Sequence, residues 1–214
     1  MPAYRSQAEA DIRVLVVARL REMLPGCRVI NEINVESFGN RIDVLAVGET
    51  RLIAVEIKSE KDKLDRLKDQ VAAMRLVTHE VFVSLHEKFL RPLGKEAIYG
   101  LVPPEDATNA VTWVYPRMAR KGHVECGEEW FDRDRWKKPM QGLPPGAIGM
   151  LWREELQASC RELGVRGVAK LTMNECIDRI RWAMTGEQIT RLICSTLRAR
   201  KCVEADEPTM AKAA

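Results

Sequence analysis

Two short apolar runs, residues 44–47 and 52–55, are separated by the turn-forming Gly48-Glu49-Thr50, and charges stand at their outer ends. Runs of this length, bounded by turn residues, read as the two strands of a hairpin. Asp43 heads the first strand after Arg41-Ile42, and Glu56-Ile57-Lys58-Ser59 closes the second. Strand side chains alternate between faces, so Glu56 and Lys58 point the same way, roughly 7 Å apart. Two charges on one face of so apolar a strand are costly to bury unless they bind something. The chain must therefore fold around a covered hairpin whose charged end has a use.

The flanking pattern extends this hairpin into an α/β core. Ser6 and Glu9 form a capping-box pattern, and Ile12, Leu15, Val16, Leu20, Met23 and Leu24 recur at helical spacing until Pro25-Gly26. Residues 28–35 read as a strand, with Phe38-Gly39-Asn40 turning the chain toward Asp43. Leu64, Leu67, Val71 and Met74 describe a second helix over 61–76, and the apolar run 81–85 is a fourth strand. A strand reached through a helix lies parallel to its predecessor with a right-handed crossover. The predicted order is αβββαβ with a mixed sheet, occupying residues 1–101.

Periodicity fails over 102–147, where Trp113, Tyr115, Trp130, Phe131 and Trp136 are mixed with Pro, Gly and charges of both signs. This irregular segment is either a binding element or carries structure that its pattern hides. Helical character returns over 148–203, as 148–163, 172–184 and 185–200, the last two opening on Thr172/Glu175 and Thr185/Gln188 capping boxes. Residues 204–214 read as a disordered tail.

Composition narrows the class. The 214 residues suffice for one sizeable domain with an appendage, and 46% hydrophobic with 30% charged residues is ordinary for a globular protein. A net charge of +3 does not by itself demand a nucleic-acid partner, so any basic surface is local. Six cysteines without a CxxC pair, and no apolar leader, point to a reduced cytoplasm. No apolar run approaches the roughly 20 residues of a membrane span. His123 and Cys126 are too few for a zinc site.

An acid at the head of one strand and an ExK at the end of its neighbour suit phosphodiester hydrolysis. That reaction needs an acidified water, charge stabilisation on phosphorus and help for the leaving oxygen, all of which a carboxylate-held divalent cation supplies. Mg²⁺, with Mn²⁺ as a substitute, keeps several waters and needs few protein ligands. Asp43 and Glu56 would hold it, with the Ile57 carbonyl as a further ligand, and Lys58 would orient the attacking water or stabilise charge. The plain alternative pairs Asp43 and Glu56 with Arg41 and Lys58 on a solvated sheet.

These residues resemble the PD-(D/E)XK nuclease superfamily, with Asp43 as its first acid and Glu56-Ile57-Lys58 as its ExK element. More narrowly, Glu32, Arg41-Ile42-Asp43, Glu56-Ile57-Lys58-Ser59, Asp62, Leu64, Arg66-Leu67 and Gln70, with Leu151-Trp152-Arg153-Glu154-Glu155-Leu156, look like a poorly characterised bacterial and phage family within it. The resemblance implies a restriction-endonuclease-like core and a Mg²⁺-dependent nuclease, a DNA endonuclease before an RNA enzyme, used in repair, phage biology or defence. It also implies a metal-associated glutamate on the first helix, Glu9, whose other use is the helix cap. Gln70 matches a glutamine near such sites, and Glu32 faces either the site or solvent.

Arg41, Lys61, Lys63, Arg66 and Lys68 cluster around the expected site and are its phosphate-binding candidates. Arg117, Arg120, Lys121, Arg133, Arg135, Lys137 and Lys138 punctuate the middle segment, whose tryptophans either stack on unpaired bases or pack against the core. Gly186 between two helices invites a helix-turn-helix reading, but Ile189, Leu192, Ile193 and Leu197 more simply pack, leaving Arg191, Arg198 and Arg200 on the wet face. Cutting both strands of a duplex would call for a homodimer. From a different functional class comes a catalytically silent module that binds nucleic acid or protein through the same surroundings.

Overall fold

The computed structural model of the 214-residue chain describes residues 6–35, 40–92, 101–102, 104–107, 110–115 and 142–209. Ser6 Oγ accepts the Glu9 N–H and starts helix α1 (Gln7–Met23). The buried stripe of α1 is Glu9, Ala10, Ile12, Arg13, Val16 and Leu20. It is turned toward Arg13, so Leu15, expected on the apolar face, is exposed together with Val14.

Strands β1 (Arg28–Val35), β2 (Asn40–Val47) and β3 (Leu52–Lys58) form an antiparallel meander. Helix α2 (Leu67–Arg75) leads to β4 (Glu80–His86), parallel to β3. The expected α2 began at residue 61, yet 61–66 is a turn. Asp62 Oδ2 accepts the Ser59 N–H at 2.8 Å and its hydroxyl at 2.6 Å, which competes with helix formation there.

Two short strands, β5 (Arg91–Pro92) and β6 (Leu101–Val102), pair separately, and β7 (Val111–Tyr115) adds to the main sheet parallel to β4. The chain is thus α/β, with a five-stranded mixed sheet in the order β1-β2-β3-β4-β7. The strand β7 lies in a segment read as irregular. Its run of β-branched and aromatic residues is a sheet signal too short to show periodicity, and the Trp113 ring packs 4.6 Å from that of Phe82. Trp130, Phe131, Trp136, the basic residues between 117 and 138, His123 and Cys126 lie outside the described residues.

Helix α1 covers one face of the sheet, where Ile12, Val16 and Leu20 meet Val44, Ile53, Val55, Ile57 and Phe82. On the other face Leu45, Leu52, Ala54 and Val83 pack with Leu67, Val71 and Met74 of α2 and with the C-terminal helices. Those are α3 (Arg153–Glu162), α4 (Met173–Ala183) and α5 (Gly186–Ala199). With both faces covered, every residue of β3 is buried.

The helix expected over 148–163 is broken: Pro145–Met150 is a 3-10 helix and Trp152, in extended conformation, caps α3. Both later capping boxes form, with Thr172 and Thr185 as caps. Arg198 and Arg200, expected on the wet face of α5, turn inward. Arg198 Nη1 donates to the Gly26 and Val47 carbonyls at 2.9 and 3.1 Å, and Arg200 Nε binds Glu155 at 2.7 Å while its guanidinium lies 4.3 Å from the Trp152 ring. Arg191 alone of the three is exposed, paired with Glu187.

The start of the expected disordered tail is also ordered. The Asn31 N–H donates to the Glu204 carbonyl at 2.7 Å and the Asp206 N–H to that of Val29 at 2.9 Å, with an antiparallel bridge between Ile30 and Ala205. These residues satisfy the outer backbone groups of β1, an edge strand that would otherwise leave them unpaired. Among the described residues no helix is long and apolar enough to cross a membrane.

Candidate functional site

The β2–β3 ladder ends where the charges begin. Pairing runs from Val47 and Leu52 to Val44 and Val55 and stops one step short of Asp43 opposite Glu56. Opposite residues of an antiparallel pair share a face, so both carboxylates open on the α2 side of the sheet. The Asp43 Oδ2 accepts the Ile57 N–H at 2.9 Å, a bond that ties its side chain across the gap. Burial pushes the Asp43 carboxyl above its usual range, opposed by this hydrogen bond.

Glu56 is 1% exposed and Lys58 7% exposed, on a strand where charge has no solvent to face. Lys58 Nζ donates to Glu56 Oε1 and to Gln70 Oε1, both at 2.8 Å, so α2 supplies a third group through Gln70. The second Glu56 oxygen, Oε2, is buried without a hydrogen-bond partner. Burial, reinforced by the charge of Asp43, raises the Glu56 carboxyl to about 8. A buried acceptor with no donor, beside a second carboxylate, is a place that favours a cation.

Glu9 sits at the same opening, but its carboxylate is engaged. Arg13 Nη2 binds Glu9 Oε1 at 2.5 Å and Glu32 Oε1 at 2.7 Å, while Nη1 donates to Asn31 Oδ1 at 3.0 Å and to the Asp43 carbonyl at 2.6 Å. Glu32 in turn pairs with Arg41. Glu32 has φ 58°, a left-handed conformation that costs an ordinary residue on the order of 1 kcal/mol. The β1–β2 register skips this point, pairing Asn31 with Val44 and Ile33 with Ile42 around the unpaired Glu32 and Asp43.

Glu9, Asn34, Arg41, Asp43, Glu56, Ile57, Lys58, Asp62, Lys63, Asp65, Arg66 and Gln70 line one open cavity of about 500 Å³. The expected catalytic residues Asp43, Glu56, Lys58, Glu9 and Gln70 are therefore brought together, with Arg41, Lys63 and Arg66 at the rim. Lys61 is exposed and outside the lining. Among the described residues no three Asp, Glu, His or Cys side chains form a metal-holding group. Asp43, Glu56 and Glu9 share this cavity, and Glu9 Oε1 is engaged there by Arg13. Asp43 and Glu56 are the two facing carboxylates that, with waters, would hold a hard cation such as Mg²⁺.

Arg13 is the residue that sequence reading missed. Its signal was positional: it falls four residues after Glu9 and inside the stripe of Ile12, Val16 and Leu20, where a charge needs a buried partner. Leu151-Trp152-Arg153-Glu154-Glu155-Leu156 contributes no residue to the lining. Leu151 and Leu156 are core, and the Glu155 carboxylate accepts the Trp152 N–H at 2.7 Å and pairs with Arg200.

A sequence-family model described as "Bacteriophage P4 protein cII" matches residues 3–100. No curated protein and no solved structure matches the chain. The matched segment carries α1, the meander, α2 and β4, and every residue lining the cavity, so the likeness to this phage family coincides with the site.

Proposed function

We propose that this chain is a Mg²⁺-dependent nuclease, a DNA endonuclease with a restriction-endonuclease-like core of the PD-(D/E)XK kind. The observation that carries the reading is the convergence of Asp43, Glu56, Lys58 and Gln70 in one cavity, with Glu56 Oε2 buried and unpartnered. Asp43, Glu56 and the Ile57 carbonyl would hold the cation, with Mn²⁺ as a substitute for Mg²⁺. When bound, the cation makes a coordinated water more acidic and offsets charge on the scissile phosphate. Lys58, fixed between Glu56 and Gln70, presents an ammonium beside the water that attacks phosphorus. Arg41, Lys63 and Arg66 receive the flanking phosphates. The order α1-β1-β2-β3-α2-β4 supports the same reading.

The test is incubation with labelled single-stranded, duplex and branched DNA and with RNA, with and without Mg²⁺. Fragments should appear with Mg²⁺ for the unaltered protein and be absent with chelator or with Lys58→Ala. Salt-sensitive DNA binding that never yields fragments in Mg²⁺ or Mn²⁺ would replace the enzyme with a silent binding module.

A further inference from the structure

We infer that Arg13 is a positioning residue for the cation site, an inference that rests on the cation reading above. Arg13 is 3% exposed, and its two terminal nitrogens divide their bonds between two acids on one side and a side-chain amide and a backbone carbonyl on the other. One nitrogen holds Glu9 and Glu32, and the other holds Asn31 and the carbonyl of Asp43. The Asp43 carbonyl lies where the β1–β2 pairing is interrupted by the left-handed Glu32, so the guanidinium fills a gap in the sheet. Asp43 is thereby fixed at both ends, its carbonyl by Arg13 and its carboxylate by the Ile57 N–H.

Two consequences follow for the chemistry. Asp43 cannot swing with the end of its strand, so its free carboxylate oxygen keeps one direction relative to Glu56. The negative charge of Glu9 is neutralised within the protein, so the cation is left to Asp43 and Glu56. A lysine would not replace Arg13, since one nitrogen cannot span four acceptors that the planar guanidinium reaches from two.

The test measures Mn²⁺ affinity by calorimetry and, without any cation, hydrogen exchange at the Ile57 amide by NMR. The variants are Arg13→Lys, which keeps the charge, and the neutral triple Glu9→Gln, Arg13→Met, Glu32→Gln, which leaves no buried ion unpaired. Arg28→Lys is the control, because Arg28 is another buried arginine, bound to the Leu197, Arg198 and Asp206 carbonyls away from the cavity. Both Arg13 variants should fold, exchange the Ile57 amide faster and lose about 10- to 100-fold in Mn²⁺ affinity. Arg28→Lys should lower stability and change neither readout. Unchanged exchange and affinity in a folded Arg13→Lys or triple variant would overturn the role of Arg13. An unaltered protein that binds no Mn²⁺, while Ile57 exchange still responds to Arg13→Lys, would overturn the cation reading instead.

Discussion

The Asp43 carboxylate accepts the Ile57 N–H at 2.9 Å, just beyond the last pair of the β2–β3 ladder, Val44 with Val55. A side chain has taken over a backbone bond at the point where two strands part, and the parting creates the cavity. Asn can accept the same N–H without the charge. Asp43→Asn should therefore keep the unfolding midpoint close to that of the unaltered protein while abolishing Mg²⁺-dependent cleavage, as read by paired denaturation and fragment assays. A large loss of stability would show that the charge of Asp43 serves folding.

Lys58→Ala removes the cation that faces both Glu56 and Gln70. Cleavage should fall by at least about 10²-fold, the usual effect of deleting one preorganised charge-stabilising group. Gln70→Ala should cost less, because Glu56 still holds the ammonium. Equal losses for both variants would mean that Gln70 contacts substrate itself.

Glu56 carries a pH prediction. Its folded carboxyl is raised from 4.5 to about 8, so between those values the folded protein keeps a proton that the unfolded chain has released. Stability of the cation-free protein should then fall as pH rises through this window and level off above it. Urea midpoints in chelator should be higher near pH 5 than near pH 9, and Glu56→Gln should remove that slope. A midpoint that rises with pH would contradict the buried, cation-starved carboxylate.

The rim cations separate by position. Lys63 and Arg66 line the cavity and Lys61 does not. Lys63→Ala and Arg66→Ala should each weaken DNA binding and reduce the slope of log affinity against log salt by about 1. Lys61→Ala should leave both nearly unchanged in a fluorescence anisotropy titration.

Gly146 offers a test of packing away from the site. A Cβ there would stand 2.7 Å from the Leu76 carbonyl, a backbone atom that closes α2 against the 3-10 helix Pro145–Met150. Gly146→Ala should cost about 1–3 kcal/mol in chemical denaturation by forcing these elements apart. The same experiment on Gly164→Ala, with φ 74° and no atom within 4 Å of the added carbon, isolates backbone strain from collision.

Local pattern carried most of the first hundred residues. The hairpin of β2 and β3, the crossover through α2 and the shared face of Glu56 and Lys58 follow from alternation, turn residues and helical spacing, which are properties of neighbours in sequence. Capping pairs at Thr172 and Thr185 were legible for the same reason. The start of α2, the break at Trp152 and the strand β7 were harder to read, because side-chain hydrogen bonds and distant partners outweigh propensity over a few residues.

By itself the sequence determined which groups stand at the ends of β2 and β3, since the two-residue period of a strand leaves no other arrangement. Only tertiary structure decided how they are used. Packing set α1 so that Arg13 enters the interior, and a buried guanidinium must bind whatever acceptors surround it. It therefore took Glu9 and Glu32, secured the Asp43 carbonyl, and left Asp43 and Glu56 as the facing carboxylates. The inward turn of Arg198 and the tail along β1 arose in the same way, from carbonyls and N–H groups more than a hundred residues away in sequence, and that of Arg200 from Glu155 and the Met150 carbonyl.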